Sequence, residues 1–392
     1  MARKVNIGRL LFVGVISGGI VAFGVRLAWP PSHTVRSARP ASAPTHAHPA
    51  APKKSVTSSA KSSTAASTSS VSSSSALPTS SLALGFHLPE WSRNGYASPT
   101  WNTDLASYVS KTHASWIAID FKIYQPNVYV PVVDGANSSQ DTSLSALSHA
   151  IKDAEAHGLH IYLRPVLTVG NAVYSGDVQY NSVADDQAWF ASYESALKPY
   201  VALARTDHVS LLGVATEMTD LQNQDSQGWR QFITEEANAF GQPVSVSLNW
   251  SNISYAPWMS SSSISWIGID AYFPLASSSG TLSTSSLVAT WDSQIMPALA
   301  TLNTSSGHPL FFSEIGYPND AGGLIAPYNH QQSGAPDPTL QANAYQAVLE
   351  VASSSPFIDG VFFWAWNTPP YSPVAASVQS FDYYVDQEHS SN

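Results

Sequence analysis

Two glutamates stand at the ends of apolar runs that are long enough to be buried strands. The run from Leu211 to Thr216 is followed by Glu217, and the run that begins at Pro309 carries Glu314. A carboxylate at the end of a buried strand must be paired, hydrogen-bonded or functional, because removing it from water alone is costly. Two such groups facing one cleft can divide the work of glycoside cleavage, one protonating the leaving oxygen and the other attacking the anomeric carbon. Either glutamate singly fits an ion pair or a cap equally well.

Aromatic residues are concentrated near the same predicted strand ends. Sugars present apolar C–H faces that stack on aromatic rings, and their hydroxyl groups bind amides and charged groups such as Asn249 and Arg164. The rings in question are Trp91, Tyr124, Trp250, Tyr272, Tyr317, Trp364 and Trp366. Each ring taken singly fits a place in the core as well as a sugar site. For Trp364, with Trp366 beside it at the end of the last strand, we favour sugar binding.

Eight short apolar runs alternate with amphipathic stretches from residue 82 onward. The runs that predict strands cover 82–87, 115–121, 159–166, 210–217, 243–249, 264–272, 309–314 and 358–366. Helical patterns between them are clearest over 144–157, 185–204, 229–240 and 340–352. Eight βα units without chain left for a second domain favour an α/β fold closed into a (β/α)8 TIM barrel over an open sheet. The fifth and eighth units have the weakest helices. The active site of such a barrel lies at the carboxyl ends of its strands.

The first 80 residues differ from the remainder of the chain in charge and composition. They contain nine of the 17 Lys and Arg residues and no Asp or Glu. Arg3, Lys4 and Arg9 precede an apolar run over 10–25, which predicts a signal peptide or an uncleaved membrane anchor within residues 1–30. Residues 31–80 are rich in Ser, Ala, Thr and Pro, which is typical of a disordered linker. The barrel domain, predicted over 81–392, is therefore expected outside the cell, secreted or held at the surface.

The barrel domain is acidic and contains no cysteine. Residues 81–392 carry eight basic and 27 acidic side chains, a formal net charge of −19, which argues against a nucleic-acid partner. Without cysteine, disulfides and thiolate chemistry are excluded. The histidine spacing suggests no metal site, and we expect no cofactor. Only 11% of all residues are charged, which fits either adaptation to acid or a compositional bias of the source.

Several segments between Leu84 and Trp366 resemble the clan A glycoside hydrolases, and within them glycoside hydrolase family 113, whose characterised members are chiefly β-mannanases. The segments that carry the resemblance are Gly85-Phe86, Ile119-Asp120-Phe121 with Tyr124-Gln125, GLHIYLRP (158–165), WIGIDAYFPL (266–275), FSEIGY (312–317) and FFWAWN (362–367). The most specific of these is 266–275. The resemblance implies a retaining β-1,4-mannan hydrolase that needs no metal or organic cofactor.

The resemblance also implies roles for individual residues. Glu217 would be the general acid and base, Glu314 the nucleophile, and Tyr272 a hydrogen-bond donor to that nucleophile. Trp364 would form the floor of the sugar subsite next to the scissile bond. The two carboxyl groups are then expected about 5 to 5.5 Å apart, the separation of retaining enzymes.

The other binding candidates match the family pattern less closely. They are Arg164, Asn249, Trp250 and Trp366. The chain departs from the pattern at Thr216, where many clan members carry an Asn that contacts the sugar 2-hydroxyl, and at Arg164, where Lys is as common. Galactan, glucan, xylan or a cell-wall glycan therefore stay open as substrates. So does a carbohydrate-binding barrel with little activity.

Overall fold

The computed structural model describes residues 82–135, 138–170, 173–329 and 335–366. The predicted export segment (1–30), the linker (31–80) and the weak eighth helix all lie outside the described residues. Within the described part of the chain, no helix is both long enough and apolar enough to cross a membrane.

Eight parallel strands form a closed barrel in which β1 pairs with both β2 and β8. The strands are β1 (Ala83–His87), β2 (Trp116–Gln125), β3 (His160–Val169), β4 (Leu211–Thr216), β5 (Val244–Asn249), β6 (Trp266–Asp270), β7 (Leu310–Ile315) and β8 (Ile358–Phe363). All eight overlap the strands predicted from the sequence, so the prediction of a (β/α)8 barrel is confirmed for the described residues.

Helices cover the outside of this barrel. They are α1 (Pro99–Thr112), α2 (Leu144–Ala156), α3 (Val183–Thr206), α4 (Thr219–Gln224), α5 (Ser226–Phe240), α6 (Thr284–Thr290), α7 (Met296–Ser306) and α8 (Pro338–Ser354). Several begin at a residue whose side chain accepts a hydrogen bond from the first turn, as Ser143 does from the backbone N–H of Ala146. The fifth connection contains only a short 3-10 turn, Pro257–Ser260, in agreement with its weak helical pattern.

Alternation along each strand separates two apolar regions. In β2, Trp116 and Ala118 belong to a cluster inside the barrel, whereas Ile117 and Ile119 pack in the larger core between strands and helices. Successive side chains of a strand point to opposite faces, so one continuous apolar run serves both regions. The cluster inside the barrel consists of Ala83, Trp116, Ala118, Tyr162, Leu211, Trp266, Phe311 and Phe362.

The interior becomes polar toward the carboxyl ends of the strands. Beyond the aromatic cluster, the next residues that point into the barrel are polar. They are His87, Asp120, Arg164 and Asp270, and all four are buried. An apolar base closes the barrel, and an ionic layer lies above it where the active site of this fold is found.

Both glutamates follow an irregularity in strand pairing. In β4, Gly213 pairs with Ser245 and Ala215 with Val246, so Val214 is an extra residue. In β7, Phe312 pairs with Ile269 of β6 and Glu314 pairs with Asp270, so Ser313 is an extra residue. Such a bulge reverses the alternation of the side chains that follow it. Ser313 and Glu314 consequently both bond to groups inside the barrel.

Gly268 of β6 is expected to tolerate no side chain. A Cβ atom there would lie 2.5 Å from Ser313 Oγ and 2.8 Å from Ser247 Oγ. Gly268→Ala should therefore lower the free energy of unfolding by about 1–3 kcal/mol, the usual cost of overpacking a core. Denaturant unfolding measures this loss. Gly135→Ala is the matched control, because its Cβ would meet nothing within 4 Å. Equal stability of the two variants would contradict the packing described for the interior.

Candidate active site

Arg164 is the centre of the ionic layer. The guanidinium is 2% exposed. It donates from Nη1 to the Glu314 carboxylate, from Nη2 to Asp270 Oδ2 at 2.5 Å and from Nε to Thr216 Oγ1 at 3.1 Å. Asp120 Oδ1 lies 3.7 Å from Nη1. Burial alone lowers the pKa of Arg164, but the surrounding carboxylates raise it well above its usual value, so the group stays cationic.

The carboxylate of Glu314 accepts hydrogen bonds from two side chains. Besides Arg164, the Tyr272 hydroxyl donates to its carboxylate. Burial, and then the negative charge of Glu314, raise the pKa of Tyr272 well above its usual value. The phenol therefore keeps its proton and remains a donor. Both donors are directed at the carboxylate of Glu314, whose side chain is 15% exposed.

Glu217 has a different environment. Asn249 Nδ2 donates to Oε1 at 2.7 Å, and the Tyr174 hydroxyl donates to Oε2 at 3.2 Å. The Asn249 amide also donates to the Tyr174 oxygen at 2.9 Å, which links the two donors. Burial, and then the charge of Glu314, raise the pKa of Glu217 to about 7. Glu217 can therefore hold a proton at mildly acidic pH.

The backbone of Glu217 lies in the left-handed region, with φ of 49°. This conformation costs a non-glycine residue on the order of 1 kcal/mol. Its N–H donates to the Ser247 carbonyl at 3.1 Å, which holds the chain in place directly after β4. The left-handed residue, together with the bulge at Val214, directs the carboxyl group into the cleft.

The predicted aromatic residues separate into two groups. Trp364 is partly buried at the mouth of the barrel, with its ring centroid 5.1 Å from that of His87. Trp250 is also partly buried and stacks on Tyr328 at 5.4 Å.

Trp366 and Tyr317 lie elsewhere. Trp366 is 2% exposed and packs against Phe86 and Tyr108 in the core between the barrel and the helices. Tyr317 is completely buried beside Tyr345. The prediction that Trp366 binds sugar is therefore not supported by its position, since its ring faces helix α1 instead of the cleft.

Several residues of the site were not identified from the sequence. Tyr174 lies in the β3–α3 connection, where no periodic pattern marks it. Tyr328 lies in the β7–α8 connection. Asp120 carries a detectable signal, because a charged residue inside the apolar run of β2 needs a buried partner. That partner is His87, whose Nδ1 lies 2.8 Å from Asp120 Oδ2, so His87 is a satisfied interior residue.

The described residues contain no group of three or more His, Asp and Glu that could hold a metal ion. A groove of about 890 Å³ lies on the outside of the barrel between α3 and α5, lined by residues such as Phe190, Phe232 and Glu194. It is a separate surface feature. The paired glutamates, rather than this groove, define the candidate active site.

Residues 86–387 match the model of Glycoside Hydrolase Family 113. The chain belongs to this family. The protein is therefore a glycoside hydrolase, in agreement with the resemblance found in the sequence. Among curated protein sequences, none matches the chain significantly.

Solved structures of family 113 share the fold. A structure described as a complex of a GH113 β-1,4-mannanase superposes with a TM-score of 0.67 at 19% identity, covering 80% of this chain and 100% of that one. The GH113 β-mannanase AaManA from Alicyclobacillus acidocaldarius, in complex with ManMIm, gives a TM-score of 0.66 at 19% identity, with 79% and 98% coverage. At this identity the likeness establishes the barrel and leaves the substrate to be argued from the site.

The pH dependence of the activity of this glycoside hydrolase should change when Tyr174 loses its hydroxyl group. If Glu217 must be protonated to start the reaction, kcat/KM should fall as pH rises above about 7, the raised pKa of Glu217. Tyr174→Phe removes a donor that stabilises ionised Glu217, so the pKa rises further and the alkaline limb moves to higher pH. We expect a shift of about one pH unit, since a hydrogen bond to a charged group contributes about 1.5 kcal/mol.

Steady-state kinetics across the alkaline limb measure this shift. Tyr255→Phe is the control, because it removes the same hydroxyl from a tyrosine that is 44% exposed and has no bond to either glutamate in the described residues. A limb that stays in place, or moves to lower pH, in Tyr174→Phe would contradict the assigned contact.

Proposed function

We propose that this family 113 protein hydrolyses β-1,4-mannan with retention of anomeric configuration. The observation that carries the proposal is the contrast between two carboxyl groups in one cleft. Arg164 and Tyr272 both donate to the carboxylate of Glu314, whereas burial and the charge of Glu314 raise the pKa of Glu217 to about 7. A nucleophile and a proton donor are the two groups that retaining hydrolysis requires.

In the first step, Glu314 attacks the anomeric carbon. The bond to the leaving oxygen breaks, and that oxygen takes the proton of Glu217. Glu217 is now ionised, and the hydrogen bonds from Asn249 and Tyr174 stabilise the new charge. These bonds gain strength as the charge develops, so they lower the barrier more than they stabilise the bound substrate.

In the second step, a water molecule gives a proton to Glu217 and attacks the anomeric carbon, which releases Glu314. Arg164 and Tyr272 stabilise Glu314 as it leaves, because they are already directed at its carboxylate. The same two donors therefore position the nucleophile in one step and stabilise it as a leaving group in the next.

The choice of mannan is supported by the family and by its solved members. Both structures compared above are described as mannanases. Thr216 lies where many clan members carry Asn, and here its hydroxyl accepts from Arg164. Thr216 therefore lacks the amide that makes the contact with the sugar 2-hydroxyl in those members. Asn249, which bonds to Glu217 Oε1, brings an amide to the cleft.

A polysaccharide panel tests both the activity and its substrate. The full chain should release reducing ends from β-1,4-mannan but not from galactan, glucan or xylan, assayed from acidic to neutral pH. Glu217→Ala and Glu314→Ala should each lower the rate about 10²–10⁴-fold, since each removes one reacting carboxyl group. Glu350→Ala is the control, because Glu350 is exposed on α8 and contacts only Gln346 among the bonds described for it. If reducing ends were released from another polymer instead, that polymer would replace mannan as the proposed substrate. No release from any polymer would favour a carbohydrate-binding barrel.

The stereochemistry of the first product tests the mechanism separately. Proton NMR during the first minutes of hydrolysis should show the β-anomer before mutarotation, as two successive inversions require. This outcome also corresponds to carboxyl groups about 5 to 5.5 Å apart. An initial α-anomer would show direct attack by water and would exclude Glu314 as a nucleophile.

A further inference from the structure

The peptide group before Glu314 lies outside the regular pairing of β7 on both sides. Toward β6, Ser313 is the extra residue between Phe312 and Glu314. Toward β8, the register of β7 also shifts between Phe312 and Ile315. A bulge leaves its extra residue without a partner in the ladder. Because Ser313 is completely buried, its carbonyl group needs a hydrogen bond from elsewhere in the protein.

His87 supplies this hydrogen bond from another strand. Its Nε2 lies 2.8 Å from the Ser313 carbonyl oxygen. A carbonyl oxygen can only accept, so Nε2 carries the hydrogen and donates it. His87 ends β1, and β8 lies between β1 and β7 in the barrel, so the bond crosses the interior instead of extending a ladder. Both residues are completely buried, which shields the bond from solvent.

The other contacts of the His87 ring fix its orientation. Nδ1 lies 2.8 Å from Asp120 Oδ2, and Asp120 is completely buried as well. The ring centroid lies 5.1 Å from that of Trp364 and 6.3 Å from that of Phe362. Two hydrogen bonds and two aromatic neighbours therefore hold the ring in the position from which Nε2 reaches β7.

Asp120 connects this ring to the cation that binds the carboxylate of Glu314. Its Oδ1 lies 3.7 Å from Arg164 Nη1, the same nitrogen that donates to Glu314. The Ser313 hydroxyl donates to Asp270 Oδ1 at 2.7 Å, and Asp270 also bonds to Arg164. The backbone before Glu314 and its carboxylate are thus held by one connected group of buried residues.

We propose that His87 is a positioning residue for the nucleophile. By donating to the Ser313 carbonyl, it holds the bulge that turns Glu314 into the cleft. The inference rests on the proposed function, in which Glu314 attacks the anomeric carbon. His87 is completely buried, so it acts on the geometry of attack and not by contact with the sugar. A displacement of the attacking atom by about 1 Å can cost on the order of 10²-fold in rate.

Pairing with the buried Asp120 is the other role that this ring could have, and that role would be structural only. Two substitutions separate the contacts, because each keeps a donor in place of one ring nitrogen. In His87→Gln, the amide nitrogen lies near the place of Nε2 and can still donate to Ser313. In His87→Asn, the amide nitrogen lies near the place of Nδ1 and can still donate to Asp120.

Steady-state kinetics of the full chain test the inference, on the polysaccharide that the wild type hydrolyses. His87→Asn should lower kcat about 10²-fold and leave KM nearly as in the wild type, because the nucleophile is misplaced while the binding surface is intact. His87→Gln should recover most of the lost kcat, since it keeps the donor to the Ser313 carbonyl. A ring needed only for Asp120 would give the opposite order.

His149→Asn is the matched control. Nδ1 of His149 also lies beside a carboxylate, 3.1 Å from Asp153 Oδ2, but this pair is exposed on α2. The same substitution there should leave kcat as in the wild type. Thermal unfolding shows whether each variant is folded.

The order of the two His87 variants decides the outcome. A folded His87→Asn with the kcat of the wild type would overturn the positioning role and leave the hydrolase intact. So would a folded His87→Gln that loses as much kcat as His87→Asn, and this second result is decisive even if His87→Asn fails to fold. A wild type that hydrolyses no polysaccharide would overturn the proposed function, and the positioning role with it.

Discussion

A single buried cation connects most of the barrel to its chemistry. The Arg164 side chain from β3 contacts Asp120 of β2, Thr216 of β4, Asp270 of β6 and Glu314 of β7. Burying a guanidinium is costly unless its charge is matched and its N–H groups are bonded, and here the carboxylates of three other strands meet that requirement. The same contacts close the upper layer of the barrel and hold the nucleophile. Stability and reactivity therefore depend on one set of bonds, and removal of Arg164 would leave several carboxylates without a counter-charge.

The position of this cation also gives two identical side chains different environments. Glu314 bonds directly to Arg164, whereas the donors to Glu217 are the neutral Asn249 and Tyr174. Because the two carboxyl groups are close enough to repel, ionising one disfavours ionising the other. Arg164 bonds to Glu314, whereas Glu217 has neutral donors only among the described residues. The proposed acid and the proposed nucleophile thus differ in their neighbours and not in residue type.

The eight strands could be predicted because apolar runs of the right length recur along the chain, and both glutamates because each ends such a run. Tyr174 could not be predicted, since it lies in a connection without periodicity. Trp366 was grouped with Trp364 because the last predicted strand extends to residue 366. β8 ends at Phe363, however, so alternation does not apply to the residues that follow. Contacts between distant parts of the chain, such as Arg164 with Asp270, are invisible to any local pattern.

The extra residues in β4 and β7 carry a consequence for how this barrel tolerates change. Substituting Val214 or Ser313 alters a side chain but preserves the count of residues before each glutamate. Deleting either one would turn every later side chain of that strand to its other face, while leaving the strand's apolar composition almost intact. At these two places, the number of residues in the strand decides where each glutamate points. Removing one residue would therefore turn the carboxyl group of that strand away from the cleft.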